Sequence, residues 1–383
     1  MTKSYEEINE RIRSGEAVVM TAEEVVDLVK TKGVDKAAEK VDVVTTGTFG
    51  AMCSSGAFLN LGHADPPIRM TDIRMNGVEA YGGLAAVDTY MGATSLIDPP
   101  GTGYGGAHVI EDLIAGRSIH LVATGPGTDC YVRKKIDTYI TLDDINEAYL
   151  YNPRNCYQNY GIATNTSDRT LYTYMGKLLP NMRNATYSSA GALSPLLNDP
   201  HLDTIGIGTR IFLAGGEGYV SWQGTQFKTT PEEVNGVPVS GARTLALVGD
   251  MKQMDSRFIR GLDITGYGIS MAIGVGIPIP VLNEDVMRRC AISDEDIYAE
   301  MVDYSLPSDR KCMQRYTYAQ LRSGTIDYEG RTIRTSSMSS LYGARKVADQ
   351  LKDWIEHGEF LLNRPAMMLP REGKLKGLKE RGE

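Results

Sequence analysis

A chain of 383 residues, 42% hydrophobic and 23% charged, can bury one large core or two moderate ones, so a globular protein is expected. Its net charge of -8 argues against a general affinity for nucleic acid or anionic membrane, both of which need concentrated Lys and Arg. The N-terminus "MTKSYEEINERIRSGEAVVM" lacks the apolar core of a signal peptide, and no later stretch reaches the roughly 20 apolar residues of a membrane span, which points to the cytoplasm.

In chain order, the first 40 residues read as helices. "TAEEVVDLVKTKG" opens on Thr21 as an N-cap with Glu24 as its reciprocal partner and closes at Gly33. "VDVVTTGTF" reads as a buried strand that runs into a glycine loop holding Cys53. From 60 to 118 the chain is turn-rich and ends in an amphipathic helix, "AHVIEDLIAG", stopped by Gly116. "SIHLVATG" is the next strand and leads into a second loop with Cys130. After it, "KIDTYITLDDINEAYLYNP" predicts a strand, then a helix from near Asp143 to before Pro153. Between 160 and 280 strand patterns dominate. "NEDVMRRCA", "SDEDIYAEMVDY" and "SLYGARKVADQLKDWIEHGEF" predict helices, the last with Leu341, Ala344, Val347, Ala348, Leu351 and Ile355 on one face. The fold class is therefore α/β, a mixed sheet with flanking helices and glycine-rich loops, in one domain or two joined lobes over 1–365. The basic, Gly-interrupted stretch over 366–383 reads as a polar tail.

Five cysteines, at 53, 130, 156, 290 and 312, contain no C-x-x-C pair and read as individual thiols. Cys53 in "AMCSSGAF" and Cys130 in "GPGTDCYVRKK" each follow a strand. Glycine-loop N–H groups or nearby cations favour a thiolate there; the alternative for each is a small packed or turn residue. If strand-end loops converge, as in parallel α/β sheets, the two would meet. Cys156 has a weaker setting, and Cys290 and Cys312 look helical and solvated. His63 and His108 lie in glycine-rich loops and are candidate acid–base groups, against the commoner hydrogen-bonded structural histidine. "GTGYGG" lacks the Lys-Ser/Thr ending of a phosphate loop and reads as close packing.

"TTGTFGAMCSSGAFLNLGH", "VNGVEAYGGLAAVDTYMGAT", "VATGPGTDCY" and "FLAGGEGYVSWQGTQF" together resemble the homocysteine biosynthesis family of archaea and anaerobic bacteria, over most of residues 1 to 365. The resemblance implies transfer of sulfide-derived sulfur to L-aspartate semialdehyde to give homocysteine, the precursor of methionine. It implies a persulfide on Cys130, assisted by Cys53, and electrons from a separate ferredoxin-like iron–sulfur protein. Family members often continue into paired CBS domains, of which the sequence to Glu383 shows none. The chain carries no evident cofactor motif or metal set, and a homo-oligomer is expected. A substrate with an α-carboxylate asks for a guanidinium, and Arg69, Arg74 and Arg210 are the candidates in turns and strands. Rival readings keep the nucleophilic cysteine as an acyl carrier, or make the chain a non-catalytic sulfur- or metabolite-binding subunit.

Overall fold

The computed structural model describes residues 2–52, 54–97, 101, 103–308, 310–373 and 375–379. Among these, a thirteen-stranded sheet dominates. It runs from Ile259–Ile264 through Gly268–Gly276, Arg210–Leu213, Gly216–Gln223, Leu245–Asp250, Glu147–Asn155, Gly56–Asn60, Asp88–Gly92, Val78–Tyr81, Asp72–Met75 and Ile119–Thr124 to Lys135–Ile140, with Thr48–Ala51 added beside Gly268–Gly276. Its pairings are antiparallel throughout. A second, six-stranded sheet mixes parallel and antiparallel pairs around its own core of Ile162, Ala185, Leu197, Met301, Tyr318 and Ile333. The expected α/β class is present, with helices beside both sheets. No helix of the described residues is long and apolar enough to cross a membrane.

Local signals explain the helices. Thr21 and Glu24 form the reciprocal cap at the start of Ala22–Lys32. The helix Gly106–Ile114 buries Val109, Ile110 and Leu113 against the large sheet, and Gly116 follows it at φ 71°. A Cβ on Gly106 would overlap the carbonyl of Gly92, so glycine here permits close packing. Ser340 caps Leu341–Glu356, whose buried Ala344, Val347, Ala348, Leu351 and Ile355 follow the expected face.

Two expected helices are strands. The residues from 143 to 152 make only a short turn, Leu142–Asp144, before the strand Glu147–Asn155. Thr141 caps that turn, since Asp144 accepts from the Thr141 N–H at 2.7 Å. Beyond it, Ala148, Leu150 and Asn152 are buried while Glu147 and Tyr149 are exposed, a period of two that suits a central strand. "SDEDIYAEMVDY" likewise yields the strand Tyr298–Asp303, with Ala299, Met301 and Asp303 inward. In both segments partners far away in sequence override helix propensity.

On the open face of the large sheet, Tyr149, Phe58, Tyr90 and Tyr81 lie in register on successive strands. Past residue 365 the chain stays packed through Met367–Met368, which pairs with Gly206–Ile207, and the buried Leu369.

Candidate active site

A cavity of about 380 Å³ lies between the two sheets. The large sheet contributes Thr48, Ala51, Met52 and Ser54, and the end of Glu147–Asn155 contributes Arg154, Cys156, Tyr157 and Tyr160. The smaller lobe closes it with Tyr174, Met175, Ser188, Ser189, Ser194, Met338 and Ser339. Cys53 lies outside the described residues, but its neighbours on both sides line this cavity.

Hydrogen bonds fasten the cysteine loop to the neighbouring strand. Ser54 Oγ donates to the Arg154 carbonyl at 3.2 Å, and the buried Asn152 Nδ2 donates to Ser55 Oγ at 2.8 Å. Asn152 Oδ1 in turn accepts from the Arg154 N–H at 3.0 Å, so one asparagine anchors both segments. Pro153 cannot donate to a sheet ladder, and the pairing with Leu245–Asp250 slips between Asn152 and Asn155. Such a bulge bends a strand and re-aims its side chains. Arg154 thereby faces the cavity half-buried, and among the described residues its guanidinium has no hydrogen-bond or ion-pair partner.

Cys156 follows at φ 50°, in the left-handed region where a side chain other than glycine is uncommon. Burial pushes its thiol far above the usual cysteine range, so it stays protonated. The opposite wall is aromatic. Tyr157 meets Tyr160 edge-on at 4.9 Å between ring centres, and Tyr174 lies 6.4 Å from Tyr160 and 6.2 Å from Tyr267. Tyr174 and Tyr304 share a hydroxyl contact at 3.0 Å, and burial raises the Tyr160 and Tyr304 phenols, which remain neutral. Serine hydroxyls pair across the floor, Ser188 with Ser339 at 3.0 Å and Ser189 with Ser194 at 2.9 Å. Among the described residues the cavity thus offers one cation without a partner, aromatic rings and neutral hydroxyls, a set suited to a small zwitterion.

Cys130 is elsewhere. It is exposed on the loop between Ile119–Thr124 and Lys135–Ile140. That loop docks on residues 67–70 through the Arg133 N–H to the Pro67 carbonyl and an Ile68–Arg133 bridge. It therefore leaves the sheet at the Asn60–Asp88 end, whereas Met52 and Ser54 precede the Gly56–Gly92 end. Four strand spacings, about 19 Å along the sheet, separate Ile119–Thr124 from Gly56–Asn60. An antiparallel sheet sends successive loops to alternate ends, so the expected convergence does not arise from this topology.

The other candidates also sort by location. His63 is exposed and stacks on Tyr131 at 6.2 Å, and Arg69 is exposed where its carbonyl packs against Gly125; both therefore share the surface of the Cys130 loop. Arg74 lies on Asp72–Met75, 4.0 Å from Asp72. Arg210 is held by Glu217 at 2.8 Å and lies over the Phe360 ring. His108 accepts from the Gly105 N–H at 3.2 Å and stacks on Tyr104, a structural post. None of the five lines the cavity. The guanidinium that does, Arg154, stands next to a proline in "LYNPRNC", and that proline inside a strand pattern was the available signal for a bulge. Cys290 is buried in the helix Glu284–Cys290 and Cys312 is exposed in a strand, so neither has the solvated helical setting expected.

A family described as "Homocysteine biosynthesis enzyme, sulfur-incorporation" matches residues 17–362. The chain is 52% identical over 379 residues to the L-aspartate semialdehyde sulfurtransferase of Methanosarcina acetivorans, covering 99% of this chain and 74% of that protein. It is 52% identical over 376 residues to the protein of the same name from Methanocaldococcus jannaschii, covering 94% of this chain and 72% of the relative. An uncharacterized protein of Methanothermobacter thermautotrophicus is 29% identical over 338 residues, covering 85% and 73%. No solved structure matches significantly.

Proposed function

The chain belongs to the homocysteine biosynthesis, sulfur-incorporation family, and on that premise we propose that it is an L-aspartate semialdehyde sulfurtransferase making L-homocysteine. The observation that carries this reading is the cavity lined by Met52 and Ser54, on either side of Cys53 in sequence, and beside them by Arg154, whose guanidinium has no partner among the described residues. Its volume accommodates a four-carbon amino-acid aldehyde. Hydrosulfide addition to the aldehyde and loss of water give a thioaldehyde, and two electrons with two protons then give the thiol. Sulfur delivered from a persulfide arrives two electrons more oxidised and needs two more. A separate ferredoxin-like iron–sulfur protein is the proposed donor.

Cys130, exposed and away from the cavity, suits attack of its thiolate on the sulfane sulfur of an external persulfide or polysulfide, which forms the Cys130 persulfide and releases the donor one sulfur shorter. Attack of the Cys53 thiolate on the outer sulfur of that persulfide moves it to Cys53 and frees the Cys130 thiol, with no net electron change. In a homo-oligomer the Cys130 loop of one copy can serve the cavity of another. The in-register aromatic row on the open sheet face supports self-association.

The test is turnover. Purified protein first loaded with sulfur from a polysulfide, then given aspartate semialdehyde and a low-potential reductant, forms homocysteine, read by mass spectrometry. Cys53→Ser and Cys130→Ala each lower the rate on the order of 100-fold or more. Sulfur-loaded protein carries one extra sulfur on the peptide holding Cys130, released by mild reductant. Full activity in Cys130→Ala overturns its role as carrier. An adduct released by hydroxylamine indicates an acyl thioester instead, and substrate binding without turnover indicates a binding subunit.

A further inference from the structure

We infer that the cavity contains a subsite for the α-amino-acid head of its ligand, with Arg154 taking the α-carboxylate and the tyrosine wall taking the α-ammonium. The inference rests on the proposed substrate class, and it adds the residues that recognise it.

Three observations carry it. The first is the unpaired state of Arg154. Guanidinium groups in folded proteins pair with carboxylates wherever geometry permits, and this chain has 48 Asp and Glu against 40 Lys and Arg. Nearby Arg315 is shared between Glu232 and Glu300, and Arg322 is paired with Asp294, yet Arg154 is left open towards the cavity. A carboxylate entering there meets a fork of donors that no group among the described residues has claimed.

The second is the way Arg154 is mounted. Its backbone is held by Asn152 on its own strand and by Ser54 on the cysteine loop, and the bulge at Pro153 turns it into the cavity. A backbone so held sets where the Arg154 side chain leaves its strand, next to Met52 and Ser54 in the cavity wall.

The third is the adjoining surface. A groove of about 500 Å³ shares Arg154, Tyr157 and Tyr160 with the cavity as lining residues, so the two adjoin at Arg154. Lys228 and Arg310 line the groove, neither with a carboxylate partner among the described residues, and the Arg310 guanidinium lies 4.2 Å over Tyr304. Positive charge thus leads an anionic group towards Arg154. The Tyr160 and Tyr174 rings, edge to face at 6.4 Å, line the cavity with Arg154, and an aromatic ring attracts an ammonium group through its quadrupole.

Binding of unreactive analogues tests the subsite without requiring sulfur transfer. L-homoserine keeps the head group, 3-aminopropan-1-ol lacks the carboxylate and 4-hydroxybutyrate lacks the ammonium. Isothermal titration of the wild type should give homoserine an advantage of about 10- to 100-fold over 3-aminopropan-1-ol. Arg154→Gln should remove that advantage while its thermal midpoint stays nearly unchanged, because no side-chain hydrogen bond or ion pair among the described residues is lost; Arg154→Lys should keep part of it. Tyr174→Leu should erase the preference for homoserine over 4-hydroxybutyrate, and Tyr174→Phe, which keeps the ring, should restore it. The carboxylate assignment is overturned if Arg154→Gln retains the wild-type preference, or if the wild type binds homoserine and 3-aminopropan-1-ol alike. The ammonium assignment is overturned if Tyr174→Leu discriminates as the wild type does. Homocysteine formation at unchanged KM by Arg154→Gln removes the subsite and leaves the sulfurtransferase; the binding pattern without homocysteine formation does the reverse.

Discussion

At the scale of single residues, the short run from Asn152 to Cys156 shapes the cavity. Asn152 ties two segments, Pro153 breaks the ladder, Arg154 turns inward and Cys156 takes a left-handed backbone. The consequence for the thiols is a difference in reactivity. Alkylation needs thiolate and access, and burial denies both to Cys156 and Cys290, whose thiols are pushed up beyond the ordinary range. In native protein at pH 8, iodoacetamide should label Cys130 and Cys312 and spare Cys156 and Cys290 until denaturant is added, as read by peptide mass spectrometry. Native labelling of Cys156 at the rate of Cys130 would contradict this cavity geometry. A cysteine chosen for its cationic neighbours in sequence, such as Cys130, can thus be accessible without lying in a cavity.

At the scale of elements, two helices meet the large sheet through glycines. Leu341–Glu356 lies so close to the turn after Val43–Thr45 that a Cβ on Gly47 would overlap the Ala344 carbonyl, and Val347 presses on Gly274 and Gly276. Gly47→Ala should therefore destabilise by about 1–3 kcal/mol through overpacking, seen as a lower urea midpoint. It should also reduce turnover, since Thr48 lines the cavity. A smaller effect belongs to the cap: Thr21→Ala removes the acceptor for the Glu24 N–H and should cost about 1 kcal/mol. If Gly47→Ala unfolds at the wild-type midpoint, the helix does not sit where its glycine contacts place it. Both features were readable in part, since the Thr21–Glu24 spacing and the apolar stripe of the last helix are local patterns. Which glycine faces which carbonyl is a matter of packing.

At the scale of the whole molecule, two sheets with separate cores enclose the cavity, and carboxylates held low in the folded state tie stability to pH. Burial acts to raise Asp303, but hydrogen bonds from Thr166 and Ser305 outweigh it and hold the carboxyl below its usual range. Burial also acts to raise Glu24, and Lys352 with the Thr21 N–H more than offsets it. Arg257 lowers Asp255, and the Thr141 N–H lowers Asp144. A carboxyl depressed in the folded state takes up a proton on unfolding, so its stabilisation is complete above the unfolded value, about 4, and is lost as pH falls through the folded one. The melting temperature should accordingly hold from pH 7 to 5 and drop below about pH 4, by calorimetry; a flat profile from 5 to 3 would contradict it.

The sequence by itself determined the family, the α/β class, the capped helices and the presence of a cysteine loop, because these rest on local patterns and on runs of residues matched as a unit. Arg69, Arg74 and Arg210 were as plausible by composition as Arg154, and only tertiary placement separated them: Arg210 is held by Glu217, Arg69 is exposed near the Cys130 loop, and Arg154 faces the cavity without a partner among the described residues. The strands Glu147–Asn155 and Tyr298–Asp303 were hidden for the same reason, since their helix-like composition yields to ladder partners distant in sequence. What only the tertiary structure decided is which loops meet. Strand order and antiparallel alternation set that, and they place the Cys130 loop at one end of the sheet and the cavity at the other.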